Sequence, residues 1–124
     1  MSAFFPTELS AQKKKSKPKT AKSSSRVKKT LYGQASFYGN KFNGRKTASG
    51  AIFSQRKLTA ACNVLPLGTK VKVTNLKNGK SVVVTVNDRL HVKTKRLIDL
   101  TYKAASILGY TKHGLARVRI DVLH

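Results

Sequence analysis

LPLGTKVKVTNLKNGKSVVVTVNDR, residues Leu65 to Arg89, is the stretch whose reading decides the fold. Val71, Val73 and Leu76 fall in a first strand, Thr69 to Leu76, with Lys70, Lys72 and Thr74 between them. A period of two marks a strand with one face in a core and the other in water. Asn78-Gly79 is a pair that tolerates positive φ at both central positions of a type I′ turn, and Ser81 to Val86 continues as a second, β-branched strand. The segment therefore predicts a β-hairpin. Where its second strand stops, Asn87-Asp88-Arg89 sets a carboxylate beside a permanent cation. Side chains at such places commonly serve a site, although Asp88 can equally cap the turn or pair with Arg89.

Outward from the hairpin the chain is punctuated into short elements. Tyr32 to Tyr38 reads as a strand, Thr47 to Phe53 as a loop leading into a short strand, and Leu58 to Cys62 as a strand or a single helical turn. Leu97 to Leu100 is a further short strand. Thr101 to Leu108 predicts a helix that Thr101 caps and Gly109 ends, with Ala104, Ala105 and Leu108 on one face. In the last strand Val118, Ile120 and Val122 alternate with Arg117, Arg119 and Asp121, which places Asp121 towards solvent. Short strands with one small helix predict an all-β fold, best closed into a barrel that leaves no edge exposed.

Six stretches in order, GQASFYG (Gly33–Gly39), FNGRKTASG (Phe42–Gly50), LTAAC (Leu58–Cys62), the hairpin itself, RLIDLTYKAASILGY (Arg96–Tyr110) and GLARVRIDVL (Gly114–Leu123), resemble the rare lipoprotein A (RlpA) family. The resemblance implies a six-stranded double-psi β-barrel over residues 31–124. It also implies endolytic lytic transglycosylase activity on peptidoglycan glycan strands lacking stem peptides, a lyase reaction with a 1,6-anhydro-muramyl product and no cofactor. It implies an aspartate, matched by Asp88, among the residues associated with activity.

Composition bounds the rest. The chain has 124 residues and a net charge of +22, with Glu8, Asp88, Asp99 and Asp121 as its only acids. Such an excess favours polyanionic partners and opposes self-association, so a monomer is expected. Residues 12–30 are nearly all Lys, Ser, Thr, Ala and Arg, too polar to offset ordering entropy, and predict a disordered basic linker. Residues 1–11, MSAFFPTELSA, resemble the back half of a secretory signal peptide, although the positive start and apolar run of a complete one are lacking. Read so, the protein is expected to be periplasmic or in the cell envelope; an ordinary cytosolic N-terminus is the alternative reading. The family's lipoproteins carry an acylated cysteine just after the signal; Cys62 lies far from there, so the expectation is no lipid anchor. Lys13 to Lys29 then holds the protein near anionic envelope polymers.

Cleaving a glycosidic bond needs an acid for the leaving oxygen, and hydrolysis by the usual routes needs a second carboxylate. Asp99, between Ile98 and Leu100 and just before the helix, is expected in a structural capping or hydrogen-bonding role, which leaves Asp88 as the site carboxylate. A lytic transglycosylase needs no second one, because the sugar's C6 hydroxyl attacks the anomeric carbon and a single carboxyl serves as acid and then base.

The chain departs from the family where many members carry Glu at Ala51 and His at Cys62, and again in Arg89-Leu90-His91, where a glycine and proline usually follow the aspartate. Cys62 is a candidate proton carrier or an inert core thiol; His91 is a candidate replacement imidazole or a loop residue. Ser36 and Tyr38 are placed by the resemblance at the glycan groove, Tyr38 to stack on a sugar or to plug the barrel. Thr47, Asn87 and Arg89 are expected to donate hydrogen bonds to glycan, and Arg89 to attract muramic-acid carboxylates. His91, His113 and His124 lack close metal-ligand spacing.

Two other classes stay open: a non-catalytic, expansin-like glycan-binding barrel, favoured by Ala51 and Cys62, and a nucleic-acid-binding protein, favoured by charge alone. No stacking platform, zinc signature or helix-turn-helix supports the latter, so no specific nucleic acid is expected.

Overall fold

The computed structural model describes residues 27–123. The strands are β1 (Val27–Phe37), β2 (Thr59–Ala61), β3 (Lys70–Asn75), β4 (Ser81–Asp88), β5 (Ile98–Leu100) and β6 (Ala116–Leu123), with one α-helix among the described residues, α1 (Tyr102–Leu108), between the last two, and a 3-10 turn, Asn40–Phe42, after β1. They close into a barrel in the order β1-β5-β2-β4-β3-β6. The hairpin pairs β3 with β4 antiparallel, Val71 opposite Val84 and Val73 opposite Val82, and all four side chains enter the core. Each valine buried in this way contributes about 1.5–3 kcal/mol. β6 lies on the other side of β3, with Ile120 against Val73 and Val122 against Val71.

The reversal between β3 and β4 differs from the expected two-residue turn. It takes Leu76 to Gly79: the Asn75 amide donates to the Lys80 carbonyl at 2.8 Å and the Gly79 amide to the Asn75 carbonyl at 2.8 Å, with Gly79 at φ 76°. The cause is a distant helix end. Asn75 and Asn78 both donate through Nδ2 to the Leu108 carbonyl at 2.9 Å, so the loop wraps the C-terminus of α1. Leu76, expected inside, consequently stands 44% exposed.

α1 forms as its sequence requires. The Thr101 hydroxyl accepts from the Ala104 amide, Gly109 adopts the left-handed conformation at φ 82°, and Ala104, Ala105 and Leu108 are buried. Between β1 and β2, where a short strand was expected, an isolated bridge from Lys46 to Ile52 flanks the turn in which the Thr47 amide donates to the Ala51 carbonyl.

β1 is longer at its start than the expected Tyr32, because Val27, Lys29 and Thr30 already pair with β6, with Lys28 passed over at a register shift. The barrel thus takes in residues 27–30 of the expected linker; the rest of that linker and the expected leader remnant lie outside the described residues. This extension also overturns the placing of Asp121. Its side chain accepts from the Thr30 hydroxyl at 2.8 Å and from Nε of Arg119 at 3.2 Å, and the residue is only 7% exposed. Further along β1, Gly33 is required by close approach: a Cβ there would lie 2.7 Å from the Cβ of Leu97.

Candidate active site

The ends of β1, β2, β4 and β5 converge. β2 pairs parallel with β4 and antiparallel with β5, so Ala61 has Asp88 on one side and Asp99 on the other, and Asp99 faces Ser36 across the parallel β1–β5 pair. The register slips between Ala60, opposite Val86, and Ala61, opposite Asp88. Asn87 is the extra residue of a bulge, a device that re-aims the side chain that follows it. A cleft of about 570 Å³ opens over this row, with Ser36, Tyr38, Asp88, His91, Arg96 and Asp99 among its walls. A hollow of about 620 Å³ at the other end of β1, lined by Lys28, Lys29 and Lys70 with apolar neighbours, contains no carboxylate.

Asp88 is fixed by three donors. Its Oδ1 accepts from the amides of Ala48 at 2.9 Å and Arg89 at 2.8 Å, and its Oδ2 from the Tyr38 hydroxyl at 2.7 Å. Tyr38 is held in turn by its ring, 4.2 Å from Phe53 and 5.6 Å edge-on to Phe42 between centroids. Burial, then the hydrogen bond and negative charge of Asp88 and the charge of Asp99, push the Tyr38 phenol far above the ordinary tyrosine range, so it remains a donor. With its ring tilted against Phe53 and its hydroxyl engaged, Tyr38 orients the Asp88 carboxylate from the cleft wall.

Other expected site residues fall differently. Arg89 does not ion-pair with Asp88; its Nη1 donates to the carbonyls of Cys62 and of Leu65, the latter at 2.6 Å, clamping that loop. The Cys62 thiol is fully buried in the core cluster, away from the cleft walls. Of its two readings, the core thiol is the one this burial fits, and the proton carrier is the one it does not. Thr47 is also buried, bonded through its hydroxyl to Ser49 at 2.9 Å and the Ala51 carbonyl at 3.1 Å, and braces the loop whose Ala48 amide reaches Asp88. Asn87 does not line the cleft; its backbone carbonyl accepts from the Ser49 amide at 3.1 Å. Ser36 does line it. His91 does too, with Nδ1 accepting from the Lys93 amide at 3.2 Å.

Asp99 is the residue the sequence reading left out of the site. It is a cleft wall, bound by Arg96 through Nε to Oδ1 at 2.9 Å and Nη2 to Oδ2 at 3.1 Å. The available signal was alternation: buried Ile98 and Leu100 force the residue between them outward. No group of three His, Cys, Asp or Glu residues among those described is placed to hold a metal.

The family profile described as lytic transglycolase matches residues 30–120. The chain belongs to the RlpA family. It is 49% identical over 113 residues to the endolytic peptidoglycan transglycosylase RlpA of Rickettsia bellii, covering 89% of this chain and 50% of that protein. The RlpA of Pseudomonas aeruginosa is 50% identical over 91 residues, 73% of this chain and 27% of that one. The chain therefore spans half or less of these relatives. Among solved structures it superposes on Streptomyces papain inhibitor with a TM-score of 0.64 at 18% identity, over 81% of this chain and 99% of that one. A Clavibacter michiganensis expansin gives 0.60 at 23% identity, over 77% and 51% of the two chains. These likenesses reflect the barrel that RlpA proteins share with other families. As an RlpA-family chain, this one has Ala51, an exposed methyl, on the loop that brings the Ala48 amide to Asp88.

Proposed function

We propose that this barrel is the glycan-cleaving unit of an endolytic peptidoglycan lytic transglycosylase, acting in the cell envelope on strands without stem peptides. The observation that carries the reading is Asp88, which follows the bulge, lines the cleft and is oriented by Tyr38 and two amides. In the form that carries a proton, the Asp88 carboxyl gives that proton to the glycosidic oxygen as the bond to the muramic-acid anomeric carbon breaks. The C6 hydroxyl of the same ring then bonds to that carbon, and its proton passes to the Asp88 carboxylate. The acid is restored and a 1,6-anhydro end results, with no water consumed. Asp99 is held at both oxygens by the Arg96 guanidinium, an ion-pair partner that Asp88 lacks.

Ala51 supports a second reading, a barrel that binds glycan without cutting it, because a methyl transfers no proton. Product chemistry decides. Digestion of denuded glycan should give new anhydro-muramyl ends; retention on glycan with no new ends would establish the binder instead. For the basic segment, removing residues 12–26 is the suitable test, since Val27 to Lys29 belong to β1. Binding to anionic envelope material should weaken at low salt while the barrel stays folded.

A further inference from the structure

We propose that Arg96, held by Asp99, receives the lactyl carboxylate of muramic acid, and is the residue through which the cleft selects glycan whose peptides have been removed. The inference rests on the lytic reading above and names the specificity element of the same cleft.

Two arginines line the cleft, and they are not equivalent. Arg89 spends Nη1 on the carbonyls of Cys62 and Leu65 and serves the loop. Arg96 uses only Nε and one N–H of Nη2, both on Asp99. A guanidinium has five N–H donors in a fixed plane, so the outer edge of Arg96 keeps donors for a second carboxylate. Its side chain is 37% exposed at that wall. The two-pronged bond to Asp99 fixes the plane beforehand, which lowers the ordering cost of binding.

The position suits the task. Asp99 and Asp88 sit on strands either side of β2, both opposite Ala61, so their Cα atoms are two strand spacings apart, about 10 Å. That separates a scissile glycosidic oxygen from the 3-O-lactyl group of a muramic-acid ring bound alongside. A stem peptide converts the lactyl carboxylate into an amide, which is neutral and cannot accept a paired, charge-assisted bond. Removing the peptide creates the group that Arg96 is shaped to bind.

The test compares denuded glycan with the same glycan after its lactyl carboxyls are converted to methylamides. Anhydro-end formation gives kcat and KM, and retention of the two glycans gives binding without chemistry. The parent should prefer denuded glycan about 10- to 100-fold in KM. Arg96→Gln should raise KM for denuded glycan to that for amidated glycan, and Arg96→Lys, which keeps charge but loses the fork, should retain a reduced preference. A parent indifferent to amidation, or an Arg96→Gln protein that still prefers denuded glycan, overturns the proposal. Should the parent form no anhydro ends on either glycan, the lytic reading fails on its own; differential retention abolished by Arg96→Gln would still sustain the carboxylate site, and retention unaltered by it would end that too. If Arg96→Gln lowers the thermal midpoint enough to confuse the comparison, Arg96→Lys decides: a preference equal to the parent's excludes the fork.

Discussion

The Tyr38 hydroxyl donates to Oδ2 of Asp88 at 2.7 Å, joining the end of β1 to the end of β4 across fifty residues of chain. It leaves the position tolerant of one specific change. In Asp88→Asn the amide oxygen can still accept from Ala48 and Arg89, while the amide nitrogen donates to the Tyr38 oxygen. Cleavage of denuded glycan should fall by about 10²–10⁴-fold, the usual worth of a positioned acid–base group, with glycan binding and thermal midpoint near the parent. No ion pair with Arg89 is lost, so a large stability loss is not expected. Tyr38→Phe keeps the ring contacts with Phe42 and Phe53 and should slow cleavage by less, about tenfold, because Asp88 keeps two of its three donors. Parental rates in Asp88→Asn would remove Asp88 from the mechanism.

Ala51 and Cys62 replace the two family residues in opposite environments, and their substitutions should separate. Ala51 is exposed on the loop beside Asp88, so Ala51→Glu meets no packing cost and should raise anhydro-end formation while leaving the thermal midpoint within the ±0.5 kcal/mol or so usual for surface changes. Cys62 is sealed in the core. Its thiol should fail to react with a thiol reagent until the protein unfolds, and Cys62→Ala should cost about 1 kcal/mol in stability without changing the rate per folded molecule. A rate loss in folded Cys62→Ala would return the thiol to the site.

Asn75 is 3% exposed and does two jobs, donating to the Leu108 carbonyl at 2.9 Å and accepting from the Lys77 amide at 3.0 Å. Asn75→Ala leaves buried backbone groups short of partners and should cost about 1–3 kcal/mol. For a domain this small each kcal/mol moves the midpoint by about 4–8 °C, readily seen by calorimetry. Asn78→Ala should cost less, since that residue is exposed.

Tyr110 gives a pH dependence. Burial, and to a lesser degree the negative charge of Asp99, raises its phenol well above the ordinary 10.0. Below that ordinary value both folded and unfolded chains keep the proton and stability is unaffected. Above it the unfolded chain releases a proton that the folded chain retains, so stability falls as pH rises, with a slope approaching about 1.4 kcal/mol per pH unit. Urea midpoints measured from about pH 9 to pH 11 should fall more steeply for the parent than for Tyr110→Phe, whatever the latter loses at neutral pH with its bond to the Ser36 carbonyl.

What could be read from the residues was whatever neighbouring residues settle. Val71 and Val73 alternate with lysines, and Thr101 and Gly109 bracket a helix whose buried face is spaced as expected. Errors arose where a distant segment intervened. The hairpin loop lengthened because Asn75 and Asn78 are drawn to Leu108, thirty or more residues away. Asp121 was misplaced because Thr30, in a stretch rich in lysine, reaches across from β1 to cover it. The aspartate at the end of β4 was legible as a candidate, and it does line the cleft, but its partnership with Tyr38 and the entry of Arg96 and Asp99 into the same cleft depend on parallel pairings that no local pattern encodes.

The antiparallel pairing of β1 and β6 sets Val27 beside Leu123, while Ser36 and Tyr38 lie at the far end of β1. A strand of that length extends over about 30 Å. Whatever polypeptide precedes Val27 and whatever follows Leu123 therefore depart from one pole of the barrel, and the cleft opens at the other. The molecule can be leashed by either end, or by both, with the mouth of the cleft left pointing outward.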